Sequence, residues 1–258
     1  MRVLSVARDL RRRHARERHG LFIAEGVRAV DELLRSPITV RGALVAPPAP
    51  DLAQGQSLVA SLRQRGVPVQ EVTAAEFASA AATDTPQGIL AIAEIPKRDF
   101  ATLDLPHDEP FRLVVLDAVQ DPGNVGTIVR TATALGASAV ASLPGTVDLW
   151  NAKVVRSSMG ALFHHPVLPC TWEELTSFRT RHQVSLWGAE AAGEPLARLT
   201  QARDGIPRRL AIAVGNEGSG LSAQTRRGAD KLVAVEMAAT VESLNVAVAT
   251  GIMLYELR

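Results

Sequence analysis

The stretch FRLVVLDAVQDPGNVGTIVR, residues 111–130, joins an apolar run directly to a turn that contains two glycines. Asp121 is a residue type that caps helices and Pro122 suits the first helical position, so a helix is predicted from Pro122 to Leu135, ending at Gly136. The two glycines are three residues apart, whereas a dinucleotide-binding turn reads G-x-G-x-x-G and a P-loop ends in G-K-[ST]. The stretch therefore predicts a strand followed by a helix, without either standard phosphate motif.

Helical periodicity divides this predicted helix into two faces. One face is predicted to point into the core: Val125, Ile128, Val129, Ala132 and Leu135. A second face combines small residues with one cation: Gly123, Gly126, Thr127 and Arg130. Arg130 is expected to lean towards the helix start, where it adds to the positive end of the helix dipole. That position suits a phosphate or a developing oxyanion, and a surface arginine beside packing glycines is an equal alternative.

The rest of the second half repeats the order strand then helix, up to a last helix near the C-terminus. Its apolar runs do not alternate with polar residues, which predicts strands covered on both faces and therefore a parallel sheet between helices. The first half also alternates helix and strand patterns, and the segment between the halves contains three prolines without sustained periodicity. We therefore expect an α/β protein with a small domain at 1–95, a linker at 96–110 and a parallel-sheet domain at 111–258.

Two further glycine-bearing or small-residue segments stand out in the second half. AIAVGNEGSGLS (211–222) is a predicted strand that runs into a loop, where Glu217 would repel a phosphate. A ligand with hydroxyls, an adenine edge or a positive centre fits this loop better. In VEMAATVESLNVAVATG (235–251), Ser243 is predicted to cap the last helix, with Asn245 in its first turn. Three small residues keep this helix thin enough for another backbone to approach closely: Ala247, Ala249 and Gly251.

Composition limits the classes of protein that fit. A chain of 258 residues with 47% apolar residues can fill two cores, and we expect two domains. The sequence lacks an apolar run of about eighteen residues, and its N-terminus MRVLSVARDLRRRH has no apolar h-region before its charges. Neither a membrane-spanning helix nor a signal peptide is therefore predicted, and a cytosolic protein without membrane contact is expected. The single cysteine, Cys170, is expected to be an inert packed thiol. The histidines lack metal-ligand spacing, so no metal is expected, and His164 and His165 are interpreted as turn or surface residues.

The net charge of +1 conceals a local excess of basic residues. Residues 1–20 contain seven arginines and two acidic residues, so the remainder of the chain carries a net negative charge. Because arginine matches the geometry of phosphate, the cluster Arg11, Arg12 and Arg13 is interpreted as an RNA-binding patch. The alternative is a solvated helix face, which is what most charge runs form.

Three segments, taken in order, resemble the signature motifs of one family: NVGTIVR (124–130), GNEGSGL (215–221) and SLNVAVA (243–249). The family is that of the SpoU, or TrmH-type, RNA ribose methyltransferases of the SPOUT superfamily, and the resemblance covers residues 111–258. The stretch FIAEGVRAVDELL (22–34) is similar to the ribosomal-protein-like substrate-binding domain that is often attached to these enzymes. One departure is Glu236, where family members commonly carry proline.

The resemblance implies methyl transfer to a ribose 2′-hydroxyl of RNA, a deep trefoil knot in the C-terminal domain and a homodimer joined through that domain. It implies S-adenosylmethionine as cofactor, held by Leu143, Pro144, Gly145, Gly215, Asn216, Glu217, Gly218, Gly220, Val235, Met237, Ser243, Leu244 and Asn245. It implies that the catalytic residues are Asn124, Arg130, Glu217, Ser243 and Asn245. Family proposals make the motif arginine the base, but a guanidinium is almost never deprotonated in a protein. We therefore interpret Arg130 as the residue that orients the acceptor and stabilises the oxyanion.

AKVVRSSMGALFHHPV (152–167) matches a further family stretch, so Arg156 and Ser158 are predicted to contact RNA, with ordinary loop packing as the alternative. Ribosomal RNA is favoured over transfer RNA because a whole domain is devoted to the substrate. Two other classes of function stay open. One is a catalytically silent RNA-binding protein of the same fold, and the other is a nucleotide-dependent oxidoreductase, which the absence of G-x-G-x-x-G disfavours.

Overall fold

The computed structural model describes residues 2–47, 53–105, 109–201, 205–238 and 240–257. The chain divides into two compact units. The first unit comprises Met1–Pro96 and Trp150–His164, and the second unit comprises Lys97–Leu149 and His165–Arg258. Residues 150–164 therefore belong to the first unit, although the sequence pattern placed them in the domain at 111–258.

The first unit contains a small α/β fold, as predicted. Its elements up to residue 96 are α1 (Val3–Asp9), α2 (Arg13–His19), β1 (Leu21–Glu25), α3 (Val27–Arg35), β2 (Val40–Val45), α4 (Ala53–Gln64), β3 (Val69–Glu71), α5 (Ala74–Ala80) and β4 (Ile89–Glu94). The strands form a sheet in the order β1-β4-β2-β3, in which β4 runs antiparallel to β1 and β2, and β2 runs parallel to β3. Apolar side chains of β1, β2 and β4 pack with those of α1 and α5 in a buried core.

The remaining elements follow in chain order. Residues 97–149 contain a short 3-10 helix (Phe100–Thr102), β5 (Phe111–Asp117), α6 (Pro122–Ala134) and β6 (Ala139–Ser142), and residues 150–164 contain α7 (Ala152–Ser157) and α8 (Ala161–His164). The rest are β7 (Val167–Pro169), α9 (Trp172–His182), β8 (Ser185–Pro195), α10 (Leu196–Gln201), β9 (Arg209–Gly215), α11 (Ala223–Gly228), β10 (Lys231–Ala234) and α12 (Val246–Glu256). In the part of the chain described here, no helix combines the length and the apolar character needed to cross a bilayer.

Aromatic packing explains why residues 150–164 join the first unit. The ring of Phe22 in β1 lies 4.5 Å from that of Trp150 and 5.8 Å from that of Phe163, measured between ring centroids. All three side chains are buried, so separating them would expose a large apolar area. Contacts between residues so far apart in the chain leave no local sequence period, and for that reason the pattern did not predict them.

The second unit is built on a parallel sheet, which confirms the prediction. Its strands lie in the order β10-β8-β9-β5-β6-β7, and the pairs run parallel. Strand β5 is buried along its whole length because β9 and β6 pair with its two edges and helices cover the sheet. This burial explains the continuous apolar run at 111–117. The trefoil knot stays a prediction.

Helix α6 begins as predicted and ends one residue before the predicted end. Asp121 caps it by accepting a hydrogen bond from the Asn124 backbone N–H at 2.9 Å, and Pro122 is its first residue. The predicted core face is buried at Val125, Ile128, Val129 and Ala132. Two details differ, because Leu135 is only half-buried and Gly126 is buried with the core face instead of sharing the exposed face of Arg130.

The interpretation of His165 as a turn or surface residue was wrong. His164 is exposed, but His165 is only 5% exposed and leads into β7, where Val167 and Leu168 are buried. The Arg98 guanidinium donates a hydrogen bond to the His165 carbonyl at 2.6 Å. Burial, together with the nearby Arg98 cation, lowers the pKa of His165 to about 4. The interpretation of Cys170 is confirmed, because it is buried and burial beside Glu174 raises the pKa of its thiol to about 12.

Candidate active site

The loop after β9 folds back on itself through a pair of backbone hydrogen bonds. Asn216 and Gly220 each donate their N–H to the other's carbonyl at 2.9 Å. The Asn216 side-chain oxygen accepts from the N–H groups of Gly218 and Ser219 at 3.0 Å, and its amide nitrogen donates to the Ala118 carbonyl at 3.0 Å. At Gly215 a Cβ atom would lie 2.2 Å from the Gly220 carbonyl carbon. Glycine at this position therefore allows the two ends of the loop to meet.

The Glu217 side chain reaches from this loop to the start of α6. Its carboxylate accepts hydrogen bonds from the backbone N–H groups of Gln120 and Asp121 at 3.1 and 3.0 Å, and from the Asn124 side-chain amide at 2.9 Å. Partial burial raises the pKa of Glu217, but the hydrogen bonds from Asn124, Gln120 and Asp121 outweigh it, so the pKa lies below its usual value. Glu217 is therefore a carboxylate held in place by three donors.

Asn245 extends this arrangement to the last helix. Its amide nitrogen donates to the Asn124 side-chain oxygen at 2.9 Å, and its own side-chain oxygen accepts from the Ala247 and Val248 N–H groups. Asn245 is thus the cap of α12, and the prediction that Ser243 caps this helix was wrong. Asn245 directly precedes the first helical residue, Val246, so its side chain reaches the free N–H groups of the first turn. Ser243 lies two residues earlier in the chain.

A cavity of about 600 Å³ lies beside this cluster. The predicted cofactor residues that line it are Gly215, Asn216, Glu217, Gly218, Gly220, Val235, Met237, Ser243, Leu244 and Asn245. Further residues that line the cavity were not predicted, among them Val214, Glu190, Arg226, Val233 and Met253. The predicted residues Leu143, Pro144 and Gly145 are not among those that line the cavity, and their role stays a prediction.

Glu190 and Arg226 were not predicted from the sequence, because only the tertiary structure brings them together. The Arg226 Nε atom donates to both carboxylate oxygens of Glu190, at 3.0 and 2.8 Å, and both residues line the cavity. Glu190 lies in β8 and Arg226 in α11, so neither stands in a glycine-bearing motif. A carboxylate and an arginine in separate elements carry no local signal of a binding site.

The structure joins three of the five predicted catalytic residues by hydrogen bonds. Asn124, Glu217 and Asn245 form a connected chain from the glycine loop through α6 to α12. Ser243 lines the cavity. Arg130 is exposed on α6 and is not among the lining residues, so its catalytic role stays a prediction.

The predicted RNA contacts lie in the first unit, apart from Arg130 in the second. Arg13 pairs with Glu17 at 2.7 Å, Arg12 lies 3.9 Å from Asp9, and Arg11 donates to the Ser79 carbonyl. The Arg156 side chain is exposed. The structure contradicts the prediction for Ser158, because this side chain is buried and its hydroxyl donates to the Val155 carbonyl at 2.8 Å.

Comparison with known proteins gives matches to both parts of the chain. Residues 112–255 match the model of the SpoU rRNA Methylase family. Residues 5–91 match the MRM3-like substrate binding domain. The 23S rRNA (guanosine(2553)-2'-O)-methyltransferase RlmP of Bacillus subtilis (strain 168) is 34% identical over 256 residues, which cover 97% of this chain and 94% of that protein. The 23S rRNA (guanosine-2'-O-)-methyltransferase RlmB of Salmonella typhi is 33% identical, with 90% of this chain and 95% of that protein covered.

Solved structures resemble the whole chain. The AdoMet-bound rRNA methyltransferase from Sinorhizobium meliloti superimposes with a TM-score of 0.83 at 29% identity, covering 100% of this chain and 94% of that one. The SpoU methyltransferase AviRb from Streptomyces viridochromogenes, in complex with AdoMet, gives a TM-score of 0.85 at 25% identity, covering 100% of this chain and 97% of that one.

Proposed function

This chain belongs to the SpoU rRNA methylase family, and from that premise we propose that it transfers a methyl group from S-adenosylmethionine to a ribose 2′-hydroxyl of ribosomal RNA. The observation that carries the proposal is the hydrogen-bonded chain Asn245–Asn124–Glu217 beside the glycine-lined cavity. It joins the three motif segments, which lie far apart in the sequence, into one site. The relatives named above support a guanosine of 23S ribosomal RNA as the target.

The residues of the cavity fit S-adenosylmethionine. A volume of about 600 Å³ lies within the range of small-molecule sites. Apolar side chains such as Val214, Val233 and Leu244 offer walls for the adenine ring. Arg226 balances the charge of Glu190, and Glu217 and Glu242 leave the cavity lining with an excess of negative charge. Negative charge favours a ligand with a sulfonium and an ammonium group over a phosphate.

When bound, S-adenosylmethionine supplies an electrophilic methyl group, which the ribose oxygen takes in line as the sulfur–carbon bond breaks. The residues of this chain position the acceptor and assist proton loss. Asn124 links Glu217 to Asn245 and thereby holds the start of α6 against the cavity. Arg130, on the exposed face of α6, holds the phosphate of the acceptor and stabilises the forming oxyanion, while the proton leaves to phosphate or water.

The test uses labelled cofactor and the full-length protein with ribosomal RNA that lacks the modification. The expected product is one nucleotide that carries label and resists alkaline cleavage on its 3′ side. Glu217→Gln should slow transfer at least about tenfold because it removes the charge that accepts three N–H groups, whereas Glu173→Gln, an exposed glutamate of α9, should not. Label found only on bases would contradict the proposal. Label found only in transfer RNA would show that transfer RNA is the substrate instead of ribosomal RNA. Cofactor binding without methyl transfer would indicate a catalytically silent RNA-binding protein.

We further propose that the first unit holds the RNA. The basic N-terminal helices and the match of residues 5–91 to a substrate-binding domain support this assignment. Substituting Arg11, Arg12 and Arg13 together by alanine should weaken binding to all RNAs and reduce the slope of affinity against salt by about 0.7 to 0.9 per lost phosphate contact. Unchanged slopes would identify the cluster as a solvated helix face.

We also propose a homodimer through the second unit, in the cytoplasm with its ribosomal substrate. The support is an exposed apolar stripe on α12, where Val248, Ile252 and Tyr255 are 52%, 37% and 54% exposed and share one helix face. Ile252→Glu should convert the dimer to a monomer in sedimentation. Val241→Glu, which places the same charge at an exposed apolar residue outside the helix, should leave a dimer. A parent protein that sediments as a monomer would contradict the proposal.

A further inference from the structure

A depression of about 550 Å³ in the first unit has no role in the reaction described above. It lies between the start of α3, the loop 82–87 and the end of α7. Its lining residues include Glu25, Arg28, Asp84, Gln87, Arg156 and Met159. Its volume is that of a small-molecule site, so it can hold a single unstacked nucleotide.

Internal hydrogen bonds shape the walls of this depression without any ligand. The Glu25 carboxylate accepts hydrogen bonds from the Ala82 N–H and from the Thr83 hydroxyl. The Gln87 side-chain oxygen accepts from the Val27 N–H at 2.9 Å and would lie 2.8 Å from a Cβ atom at Gly26, which has a φ of +98°. These bonds hold the loop 82–87 against α3, so the depression is preformed.

Two guanidinium groups stand at this depression with their hydrogen-bonding capacity unused. Arg28 and Arg156 are exposed and make no hydrogen bond or ion pair with any residue in the described ranges. Arg35, on the same helix as Arg28, instead pairs with Asp31 at 2.7 Å. Arg28 and Arg156 are therefore available to phosphate oxygens in a way that Arg35 is not.

Arg156 also lines a second, smaller depression of about 220 Å³ in the same unit. Its other basic lining residues are Arg11, Arg16 and Lys153. The two depressions thus share one guanidinium. Arg16 is buried and donates to the carbonyls of Leu10 and Arg11, so the exposed cations around the two depressions are Arg11, Arg28, Lys153 and Arg156. A chain of phosphates running from one depression to the other would meet cations along its course.

Met159 adds an apolar surface to the larger depression. Its side chain is 37% exposed, and its backbone has a φ of 52°, in a region that non-glycine residues seldom occupy. Strained backbone positions persist only where the surrounding structure fixes them, and they cluster at ligand-binding and active sites. An exposed thioether on the wall of a polar depression can contact the face of a base.

We propose that these depressions bind a single-stranded segment of the substrate RNA, with one extruded nucleotide in the larger depression. The proposal rests on the assignment of the first unit to RNA. Arg28 and Arg156 bind the phosphates on either side of the nucleotide, Met159 packs on its base, and Asp84 accepts from its amino or imino groups. A duplex keeps its bases stacked and paired, so it cannot fill the depression.

The test measures the affinity of the full-length protein for an unstructured RNA of about 12 nucleotides and for a duplex of the same sequence. Arg28→Ala and Arg156→Ala should each weaken single-strand binding about tenfold and lower its salt slope by about 0.7. Met159→Ala should weaken it severalfold without a change of slope, because it removes an apolar contact. Arg35→Ala, which removes the same charge from the same helix, should stay within about twofold of the parent.

Equal losses for Arg28→Ala and Arg35→Ala, equal losses on single strand and duplex, or no single-strand binding by the parent would overturn this inference. Measuring methyl transfer to ribosomal RNA by the parent protein separates the failure of this inference from the failure of the proposed reaction. If transfer occurs while Arg28→Ala binds the single strand normally, only the inference fails. If the parent transfers no methyl group, the proposed reaction fails whatever the binding data show.

Discussion

Substituting one glycine of the loop after β9 tests whether close backbone approach shapes the cofactor cavity. A Cβ atom at Gly215 would lie 2.2 Å from the Gly220 carbonyl carbon and 2.4 Å from the Leu221 nitrogen. Gly218 belongs to the same loop, but there the nearest atom to a Cβ is the Asn216 side-chain oxygen at 3.6 Å. Gly215→Ala and Gly218→Ala thus add the same methyl group, and only Gly215→Ala forces backbone to move.

The structure sets the size of the effect. Carbon atoms in contact lie about 3.5 Å apart, so the Gly215→Ala methyl group requires a shift of about 1 Å between the two ends of the loop. Overpacking of this kind costs about 1–3 kcal/mol, and about 2 kcal/mol lowers the Tm of a chain of this size by about 4–8 °C. The same shift moves Asn216 and Glu217, so cofactor affinity should fall at least about tenfold.

Two measurements check this prediction. Thermal unfolding of the parent, Gly215→Ala and Gly218→Ala gives the change in Tm, and calorimetric titration gives the dissociation constant for S-adenosylmethionine. Gly218→Ala should unfold within about 1 °C of the parent because its methyl group makes an ordinary contact. If Gly215→Ala unfolds at the parent temperature and binds cofactor normally, the argument from close approach is refuted.

Three further predictions concern arginine and histidine side chains. Arg130→Ala should slow methyl transfer at least about a hundredfold, because it removes the group that stabilises the oxyanion. The cofactor dissociation constant should stay within about twofold of the parent, because Arg130 does not line the cavity. A parallel loss of the transfer rate in kinetics and of cofactor affinity in calorimetry would contradict this division of roles. The pKa of His165 is lowered from 6.5 to about 4, so the unfolded chain binds the proton first and stability should fall by up to about 3 kcal/mol as pH drops from 6.5 to 4. Urea unfolding against pH should show that His165→Leu removes part of this fall, whereas His164→Leu keeps it. Arg112→Met should cost about 2–4 kcal/mol in urea unfolding, because it removes the side-chain donor to the carbonyls of Leu257 and Pro207, whereas the Arg208 carbonyl keeps the Phe111 N–H. A loss below about 0.5 kcal/mol would be contrary to this expectation.

Features that depend on neighbouring residues were predictable from the sequence. The start of α6 follows from the capping oxygen of Asp121 and the fixed φ of Pro122, both of which act within one turn. The parallel sheet follows from apolar runs that need cover on two faces. The resemblance to the methyltransferase family rests on three motifs whose order along the chain can be read directly.

Features that depend on distant residues were not predictable in the same way. His165 was interpreted as a turn or surface residue, and packing by other parts of the chain buries it. The cap of α12 was assigned to Ser243 because serine is a good capping residue, but the path of the backbone brings Asn245 to the free N–H groups. Residue preference alone does not decide between two candidates so close together.

The sequence by itself determined the elements, the parallel sheet and the residue types of the site, because capping, burial pattern and glycine placement are local properties of the chain. Only the tertiary structure decided which of those residues meet. Glu217 reaches Asn124 because β9 lies beside β5 in the sheet, so the loop after one strand faces the helix that follows the other. The pairing of Glu190 with Arg226 and the packing of residues 150–164 on Phe22 arise likewise from contacts between distant segments, which no sequence period records.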